Sequence, residues 1–314
     1  MKATRLMGAG GRATAGRAAT VAVTPCWGSG GHNQWRRSAL ATTATATTSR
    51  VSLEKSTSHQ GVAFLTLTNA RERNALSVEA LEELKATLAD VESHRSFGDV
   101  RVVVLRAQGP VFSAGHNVKE MRGSERDPAY FARCFALCSE VMQAVRGLRV
   151  PVIAQVDGLA TAAGAQLVAS CDLVVASEDS HFATPGVKIG LFCTTPAVAL
   201  GRAINSEKKM MEMLLTGEPI TAQEAHTYGL VNKVVPKAQI EEATLELAKK
   251  IVSYSPSVIG LGKKAFYQQM AQPDISQAYK FAEGVMCANA VAEDAYEGMS
   301  AFVEKRKPTW KPTH

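Results

Sequence analysis

The chain has 314 residues, of which 46% are hydrophobic and 20% charged, and its formal net charge is +6. This composition excludes an intrinsically disordered protein and a collagen-like fibre. No apolar run approaches the ~20 residues that a membrane-spanning helix requires, so no membrane insertion is expected. Residues 1–50 contain seven Lys or Arg and no Asp or Glu. The remaining chain is therefore nearly neutral, which argues against a nucleic-acid partner.

Residues 1–50 are rich in Ala, Thr and Arg and end in the tract ALATTATATTS. These features are typical of an organelle transit peptide and predict import into the mitochondrial matrix, with cleavage between residues 25 and 50. A secretory signal is excluded because no apolar core of 7–15 residues follows the basic start. The alternative is an unstructured N-terminal extension of a cytosolic protein.

From residue 60 the pattern predicts strands alternating with helices, which is typical of an α/β fold with a parallel sheet. Ser77 is the predicted N-cap of the first helix, in which apolar residues recur at helical spacing. The predicted strands are 61–69, 101–107, 151–158 and 171–177, and the predicted helices follow Ser77 or cover 128–146 and 163–170.

From Glu207 onward the pattern is helical, with Gly217 and Gly229 where helix C-caps belong. The predicted helical segments are 207–217, 221–229, 237–253, 258–271 and 275–305. No linker interrupts the chain. We therefore predict a core at 51–255 and a C-terminal helical region at 256–314.

Six cysteines lack the spacing of a zinc site or a disulfide framework. Cys26 lies in the predicted transit peptide. The other five, which are Cys134, Cys138, Cys171, Cys193 and Cys287, are expected to be buried free thiols in a reducing matrix. No metal site is predicted.

Two turns of small residues each follow a predicted buried strand. FSAGHN (112–117) follows RVVVLRA, and GLATAAGAQ (158–166) follows PVIAQVD and opens a helix. Such turns let the backbone approach a ligand and direct N–H groups at it. Two such donors form an oxyanion hole, which stabilises a carbonyl that gains negative charge. The alternative is tight packing between strand and helix.

Four segments in this order resemble the crotonase (enoyl-CoA hydratase/isomerase) superfamily over about residues 60–308: VIAQVDGLATAAGAQLVASCDLVVAS, FATPGVKIGLF, LLTGEPITAQEAHTYGLVNKVV and GMSAFVEKRKP. The resemblance implies a crotonase-like spiral of ββα units with a helical C-terminal trimerisation region. It also implies acyl-CoA ligands of fatty-acid metabolism, a homotrimer or a dimer of trimers, and no cofactor other than the CoA of the thioester.

The family's two oxyanion donors match the backbone N–H groups of His116 and Ala163. Lys305 matches a position near the CoA phosphates, although it could equally be a solvated lysine of the run KRK. The residues that the resemblance places around acyl-CoA are Asn74, Ala75, Leu76, Ala114, His116, Asn117, Val118, Lys119, Ala163, Gly164, Thr194, Phe302 and Lys305.

The two catalytic glutamates of the family's hydratases are missing, because Gln166 and Gly186 occupy the matching positions. Gln166 could orient a water molecule, but its amide cannot take up or release a proton. Gly186 has no side chain. General acid–base catalysis contributes ~10²–10⁴-fold, so we expect hydratase activity to be weak or absent.

Several residues are candidates to replace the missing groups, but each has a simpler explanation. Cys193 has no identifiable histidine partner, and hydroxyls without a base are poor catalysts. Asp172 is expected to be structural, capping a turn. The candidates are His116, Thr184, Cys193, Thr194 and Thr195.

Two functions are compatible with these residues. The chain either binds acyl-CoA without hydrating it, or is an enzyme that uses the oxyanion hole of His116 and Ala163 for isomerisation, decarboxylation, thioester hydrolysis or residual hydration. RNA binding is disfavoured because no basic stripe is present apart from KRK.

Overall fold

The structure is a computed structural model that describes residues 49–93 and 97–311. The predicted transit peptide lies outside the described residues except for Ser49 and Arg50, and Cys26 lies outside them as well. All described residues belong to one unit, Thr48–His314. The boundary between residues 255 and 256 stays a prediction.

Ten strands form two sheets. They are β1 (Val51–Lys55), β2 (Val62–Leu67), β3 (Val102–Ala107), β4 (Val111–Ser113), β5 (Val152–Val156), β6 (Leu159–Thr161), β7 (Leu173–Ser177), β8 (His181–Ala183), β9 (Ile220–Thr221) and β10 (Lys233–Val235). The larger sheet has the order β1-β2-β3-β5-β7-β10 and the smaller one β4-β6-β8-β9. Only the pairs β1–β2 and β8–β9 are antiparallel in the described part of the chain.

Eleven α-helices are described. They are α1 (Val78–Glu92), α2 (Val118–Gly123), α3 (Pro128–Gly147), α4 (Ala163–Ser170), α5 (Thr194–Ala203), α6 (Glu207–Thr216), α7 (Ala222–Thr227), α8 (Ile240–Val252), α9 (Pro256–Gln269), α10 (Ile275–Ala290) and α11 (Glu293–Val303). The predicted N-cap is confirmed, since the hydroxyl of Ser77 accepts a hydrogen bond from Ala80 N–H at 3.2 Å. Gly217 ends α6 in the left-handed conformation, as predicted.

The repeating unit is two strands followed by one or more helices, and each unit adds one strand to each sheet. Strands β3 and β4 lead to α2 and α3, β5 and β6 lead to α4, and β7 and β8 lead through a 3₁₀ turn to α5. This is the predicted spiral of ββα units. Because strand direction is kept from unit to unit, the ends of β4, β6 and β8 meet at one edge.

The larger sheet is buried on both faces, which explains its continuous apolar runs. On one face Val102, Val104 and Ile153 pack against Ile240 and Ala243 of α8. On the other face the alternate strand residues join the main core with α1, α3 and α4. No described helix is both long enough and apolar enough to cross a bilayer.

The expectation of buried thiols is wrong for Cys287, which is exposed, whereas Cys134, Cys138, Cys171 and Cys193 are buried. Cys287 lies on α10, a helix whose one buried residue is Ala278. All five are free thiols. The described residues contain no cluster of His, Cys, Asp or Glu suited to a metal ion.

Candidate active site

A cavity of about 500 Å³ opens where the two predicted turns meet the loop between β8 and α5. Its wall is mainly apolar. The lining residues are Ala114, His116, Val118, Met121, Phe135, Ala162, Ala163, Pro185, Gly186, Lys188, Ile189, Leu191, Phe192, Cys193, Thr194, Thr195 and Pro196. The cavity therefore joins residues from three successive ββα units.

The first turn is held by hydrogen bonds to the segment that precedes α1. Ala114 N–H donates to the carbonyl of Arg73 at 3.0 Å. The hydroxyl of Ser113 donates to the carbonyl of Asn74 at 2.8 Å and accepts from Gly115 N–H at 3.2 Å. These bonds fix the start of the turn, and Ala114 and His116 line the cavity.

The two turns touch at glycine positions. Gly115 has φ +79, and a Cβ atom on it would lie 2.8 Å from the carbonyl oxygen of Thr161 and 3.1 Å from the nitrogen of Ala163. A Cβ atom on Gly164 would lie 2.6 Å from the carbonyl oxygen of Ser113. The distances of 2.8 and 2.6 Å to carbonyl oxygens are too short for a methyl group, so these glycines permit the approach of one turn to the other.

This approach places the turn that contains His116 against the start of α4, whose first residue is Ala163. Ala163 is the first residue of α4, so its N–H has no partner within the helix. At the contact between Leu76 and His116, Leu76 N–H donates to the carbonyl of Gly115 at 2.8 Å, which leaves His116 N–H outside the pairing. Two unpaired donors beside an apolar cavity have the composition of an oxyanion hole.

The residue before this helix is in a conformation that L-amino acids rarely adopt. Ala162 has φ +48 and ψ −118, a region that is populated almost entirely by glycine. Its N–H donates to the carbonyl of Ala183 at 2.9 Å. Ala162 and the next residue, Ala163, both line the cavity.

The imidazole of His116 packs against α3. Its Nδ1 lies 3.6 Å from Sγ of Cys134, and its ring meets the ring of Phe135 edge-on at 5.3 Å. Nε2 is buried and has no hydrogen-bond partner among the described residues. Burial lowers the pKa of His116 below its ordinary value, partly opposed by contact with the Leu76 backbone, so the ring is neutral at pH 7.

Gln166 lies on the first turn of α4 and is buried, with 4% of its surface exposed. Its Oε1 has no hydrogen-bond partner in the described part of the chain, and the same is true of Oγ1 of Thr184. Neither residue lines the cavity directly. The amide can accept a hydrogen bond but cannot transfer a proton.

The space beside Gly186 is already filled. A Cβ atom on Gly186 would lie 2.8 Å from the carbonyl oxygen of Leu191 and 2.9 Å from Sγ of Cys193. The thiol of Cys193 accepts a hydrogen bond from Gly186 N–H at 3.3 Å. Burial raises the pKa of Cys193, so the group is a protonated thiol and a poor nucleophile at pH 7.

Several predicted binding residues have side chains that serve the fold. The amide of Asn74 donates to the carbonyls of Gln108 and Val111 at 2.9 and 2.8 Å. Asn117 caps α2 by accepting from the backbone of Lys119 and Glu120. Of the predicted set, the structure brings five residues to the cavity: Ala114, His116, Val118, Ala163 and Thr194. Ala75, Leu76, Asn117, Lys119 and Gly164 lie next to it in the same turns or helix starts.

Phe302 and Lys305 are not part of this cavity. Phe302 is 85% exposed and lines a separate apolar cavity between α9 and α11. Lys305 follows the end of α11 with φ +55. Within a single chain these two residues are therefore separate from the turns of His116 and Ala163.

Sequence reasoning missed most of the apolar wall. Met121 and Phe135 come from α2 and α3, and Ile189, Leu191 and Phe192 come from the loop before α5. The sequence of that loop contained one clue. The segment GLF (190–192) has two large apolar residues but follows no strand, and the next helix begins only at Thr194. These loop residues are about half exposed, so they form the rim of the cavity.

Asp172 has a structural role, as expected, but it binds more groups than the cap of a turn would. Its Oδ2 accepts from Val152 N–H and pairs with Nζ of Lys263, both at 2.7 Å. Its Oδ1 accepts from the hydroxyl of Tyr267 at 2.8 Å. The carboxylate therefore connects β5, β7 and α9.

Residues 57–313 match the model of the enoyl-CoA hydratase/isomerase family. The chain is similar to the mitochondrial enoyl-CoA hydratase domain-containing protein 3 of Rattus norvegicus, with 51% identity over 80% of this chain and 81% of that protein. It is similar to the Homo sapiens protein of the same name at 49% identity, with 80% of each chain covered.

Solved structures agree with these matches. The crystal structure of human enoyl-CoA hydratase domain-containing protein 3 has a TM-score of 0.77 and 48% identity, covering 83% of this chain and all of that chain. An enoyl-CoA hydratase of Mycobacterium smegmatis has a TM-score of 0.79 and 42% identity, covering 83% of this chain and 98% of that one.

Proposed function

The chain belongs to the enoyl-CoA hydratase/isomerase family, and from that membership we propose that it binds acyl-CoA thioesters while ordinary 2-enoyl-CoA hydration is weak or absent. One arrangement of residues supports both the proposed binding and the proposed loss of hydration. Two residues with free backbone N–H groups, His116 and Ala163, line an apolar cavity, whereas positions 166 and 186 hold an amide and a glycine.

The N–H pair is suited to a thioester carbonyl. The carbonyl oxygen would accept from His116 N–H and Ala163 N–H, and the acyl chain would lie against Phe135 and Met121. Because both donors are main-chain groups held by packed turns, they need no reorganisation when charge develops on the oxygen. Binding through these groups does not depend on which side chains stand at positions 116 and 163.

Hydration needs more than carbonyl binding. One group must deprotonate water and another must return a proton to the α-carbon. Gln166 can do neither, because its side-chain amide neither takes up nor releases a proton near neutral pH. At position 186 no carboxylate could be accommodated without displacing the Leu191 carbonyl and the Cys193 thiol. On this proposal the chain keeps the groups of the family's site that bind the thioester and lacks the groups that transfer protons.

The proposal also covers the protein's location in the cell, its metabolic role and its oligomeric state. The curated relatives are named as mitochondrial proteins, and residues 1–50 have transit-peptide composition, which supports a location in the matrix. The family supports a place in fatty-acid metabolism. Exposed apolar residues of α10 and α11, among them Ile275 and Phe302, support a homotrimer or a dimer of trimers.

The test combines turnover and binding. Enone absorbance is followed with 2-enoyl-CoAs of short, medium and long chain, beside an authentic two-glutamate hydratase. We expect turnover at least 10²-fold below that reference, because general acid–base catalysis is missing. Isothermal titration with saturated acyl-CoA should detect binding. Turnover within about tenfold of the reference would contradict the first half, and the absence of any binding would contradict the second.

The variant Gln166→Glu tests the contribution of one of the two missing carboxylates without the other. It restores one carboxylate on α4 without changing side-chain volume, so binding should be preserved. Hydration should stay low, because position 186 still supplies no second group. Full hydratase activity in this variant would show that one carboxylate is sufficient here.

A second candidate function is an enolate reaction that needs only the oxyanion hole, such as isomerisation, decarboxylation or thioester hydrolysis. The unpaired N–H groups of His116 and Ala163 favour it. Proline is tolerated at the first position of a helix and has no N–H, so Ala163→Pro should abolish any such reaction. A panel of acyl-CoA substrates that yields no product would exclude this candidate.

A further inference from the structure

Another cleft, of about 670 Å³, lies between α9 and the C-terminal ends of α1 and α3. It shares no lining residue with the cavity of the candidate active site. Three cations line this α3–α9 cleft, which are Arg146, Arg149 and Lys264. The carboxylate among its lining residues is that of Glu92. Three positive charges against one negative charge give the lining a net charge of +2.

The protein does not neutralise these cations itself. Every Asp and Glu of the chain belongs to the described residues. None of these carboxylates forms an ion pair within 4 Å with any of the three cations. The Glu92 carboxylate accepts instead from the backbone N–H of Arg149 at 2.9 Å. The positive charge of the cleft is therefore available to a ligand.

The guanidinium of Arg146 is held in place by an aromatic ring. Its Cζ lies over the ring of Tyr267, 4.1 Å from the centroid. The hydroxyl of Tyr267 in turn donates to Oδ1 of Asp172 at 2.8 Å, so the ring itself is anchored. The side chain of Arg146 donates no hydrogen bond to another described residue. Stacking thus occupies a face of the guanidinium and leaves its N–H edge for an acceptor.

The guanidinium of Arg149 is partly desolvated without a full set of acceptors. Its Nε is buried and has no hydrogen-bond partner among the described residues. Its Nη2 lies 3.4 Å from the carbonyl oxygen of Val91, which is a long hydrogen bond. Burial lowers the pKa of Arg149, opposed by the Glu92 carboxylate, but a guanidinium stays charged at pH 7. A bound anion would stabilise a charge that has lost part of its water.

The net charge and the size of the cleft select the anion. Guanidinium groups bind both phosphates and carboxylates through paired N–H donors. A phosphate monoester carries about −1.5 to −2 charges at pH 7, whereas a carboxylate carries one. A single phosphate group therefore matches the net charge of the lining. The volume of about 670 Å³, with the apolar side chain of Leu261 among the lining residues, leaves room for an organic group beyond the phosphate.

We propose that the α3–α9 cleft binds the phosphate group of a small organic phosphate monoester through Arg146, Arg149 and Lys264. The ligand would join the end of α3 to α9, a helix that has no buried residue of its own. The inference does not rest on the proposed binding of acyl-CoA, because the two sites have no lining residue in common. Failure of one proposal therefore leaves the other intact.

The experiment follows the ³¹P NMR signal of phenyl phosphate during titration with the full chain at constant ionic strength. Malonate, a dianion made of two carboxylates, and butyryl-CoA are added as competitors. The variants Arg146→Gln and Lys264→Gln each remove one cation of the cleft. Lys250→Gln is the matched control, because Lys250 is an exposed residue of α8 that does not line the cleft.

We expect saturable binding of phenyl phosphate to wild type with a Kd of about 1 mM or lower. Arg146→Gln and Lys264→Gln should each weaken it roughly tenfold, the effect of one hydrogen bond to a charged group. Lys250→Gln should change it by less than about twofold, the effect of a distant exposed charge. No binding, equal weakening in all three variants, or equally strong competition by malonate would overturn the inference. Displacement by butyryl-CoA together with unchanged affinity in Arg146→Gln would also overturn it, because the phosphate would then occupy the acyl-CoA site.

Discussion

At the residue scale, the candidate site depends on backbone conformation more than on side-chain chemistry. The proposed donors are main-chain N–H groups, and the residues around them are small because the two turns approach closely. Gly115 and Gly164 permit this approach, and Ala162 tolerates a conformation suited to glycine. Substitutions at these positions therefore test the geometry without removing a functional side chain.

Ala162→Gly should stabilise the protein. Releasing an alanine from φ +48 removes steric strain of about 1–2 kcal/mol, although glycine's greater freedom in the unfolded chain offsets part of that gain. The free energy of unfolding, measured by denaturant titration, should rise by about 0.5–1 kcal/mol. A lower stability in the variant would contradict the strained conformation.

Gly164→Ala should destabilise the protein by about 1–3 kcal/mol, the usual cost of overpacking, and should weaken acyl-CoA binding. The reason is the carbonyl of Ser113, which lies 2.6 Å from the position of the new methyl group. The matched control is Gly201→Ala on α5, where nothing lies within 4 Å. The control should keep full binding and lose no stability, because alanine favours a helix.

At the scale of elements, one buried polar cluster joins the C-terminal helices to the sheets. Lys263 of α9 pairs with Asp172 and also donates to the carbonyl of Val150 at 3.0 Å. Burial lowers the pKa of Lys263, opposed mainly by the nearby carboxylate of Asp172. Removing that carboxylate would leave a desolvated ammonium group without its counter-ion.

Asp172→Asn should therefore cost about 3–5 kcal/mol of stability, as when one partner of a buried ion pair is removed. Tyr267→Phe removes only one hydrogen bond to the same carboxylate and should cost about 0.5–1.5 kcal/mol. Glu140→Gln is the control, because its pair with Lys85 is about half exposed and such pairs contribute ~0–1 kcal/mol. Equal losses in the three variants, measured by denaturant titration, would contradict this ranking.

A carboxylate on α11 anchors the tail that follows this helix. Glu297 accepts from the Arg306 guanidinium at 2.6 and 2.8 Å and from Thr309 N–H at 2.7 Å. The Arg306 hydrogen bonds lower the pKa of Glu297 from 4.5 to about 2. Since the folded pKa is depressed, the contribution of this carboxylate is present above the unfolded pKa and is lost as pH falls toward about 2.

Comparison of wild type with Glu297→Gln tests this sign. The difference in their unfolding free energies should be constant from pH 8 to about pH 5.5 and should shrink as the pH falls below 4.5. A difference that grows on acidification would show that the carboxylate is not held in its charged form.

At the scale of the whole molecule, α10, α11 and the turn between them carry large apolar side chains that are exposed. Ile275, Val291, Phe302 and Val303 are all more than 70% exposed. Contiguous exposed apolar surface marks an interaction site in soluble proteins. Coverage by neighbouring subunits would bury it.

Sedimentation velocity should therefore show a trimer or a dimer of trimers at micromolar concentration. Ile275→Glu places a charge on the exposed apolar surface and should shift the distribution toward smaller species. Gln223→Glu places the same charge at an exposed position of α7 and should leave the distribution unchanged. A monomeric wild type would contradict the proposed assembly.

Much of this molecule followed from the sequence by itself. The apolar runs predicted the central parallel strands, the spacing after Ser77 predicted α1, and the segment 163–170 matches α4 residue for residue. The turns 112–117 and 158–166 were recognisable because their small residues stand between a strand and a helix. Local patterns determine such features, since backbone propensity and burial act over a few neighbouring residues.

The short strands and the cavity wall were decided only by the tertiary structure. Strands β4, β6 and β8 have three residues each, too few for a periodic signal, and they exist because successive units stack. The contact of Gly115 with Thr161, the filling of the Gly186 position by Leu191 and Cys193, and the unpaired Nε2 of His116 all join residues far apart in the chain. Such properties arise from packing across the fold, so no window of sequence contains them.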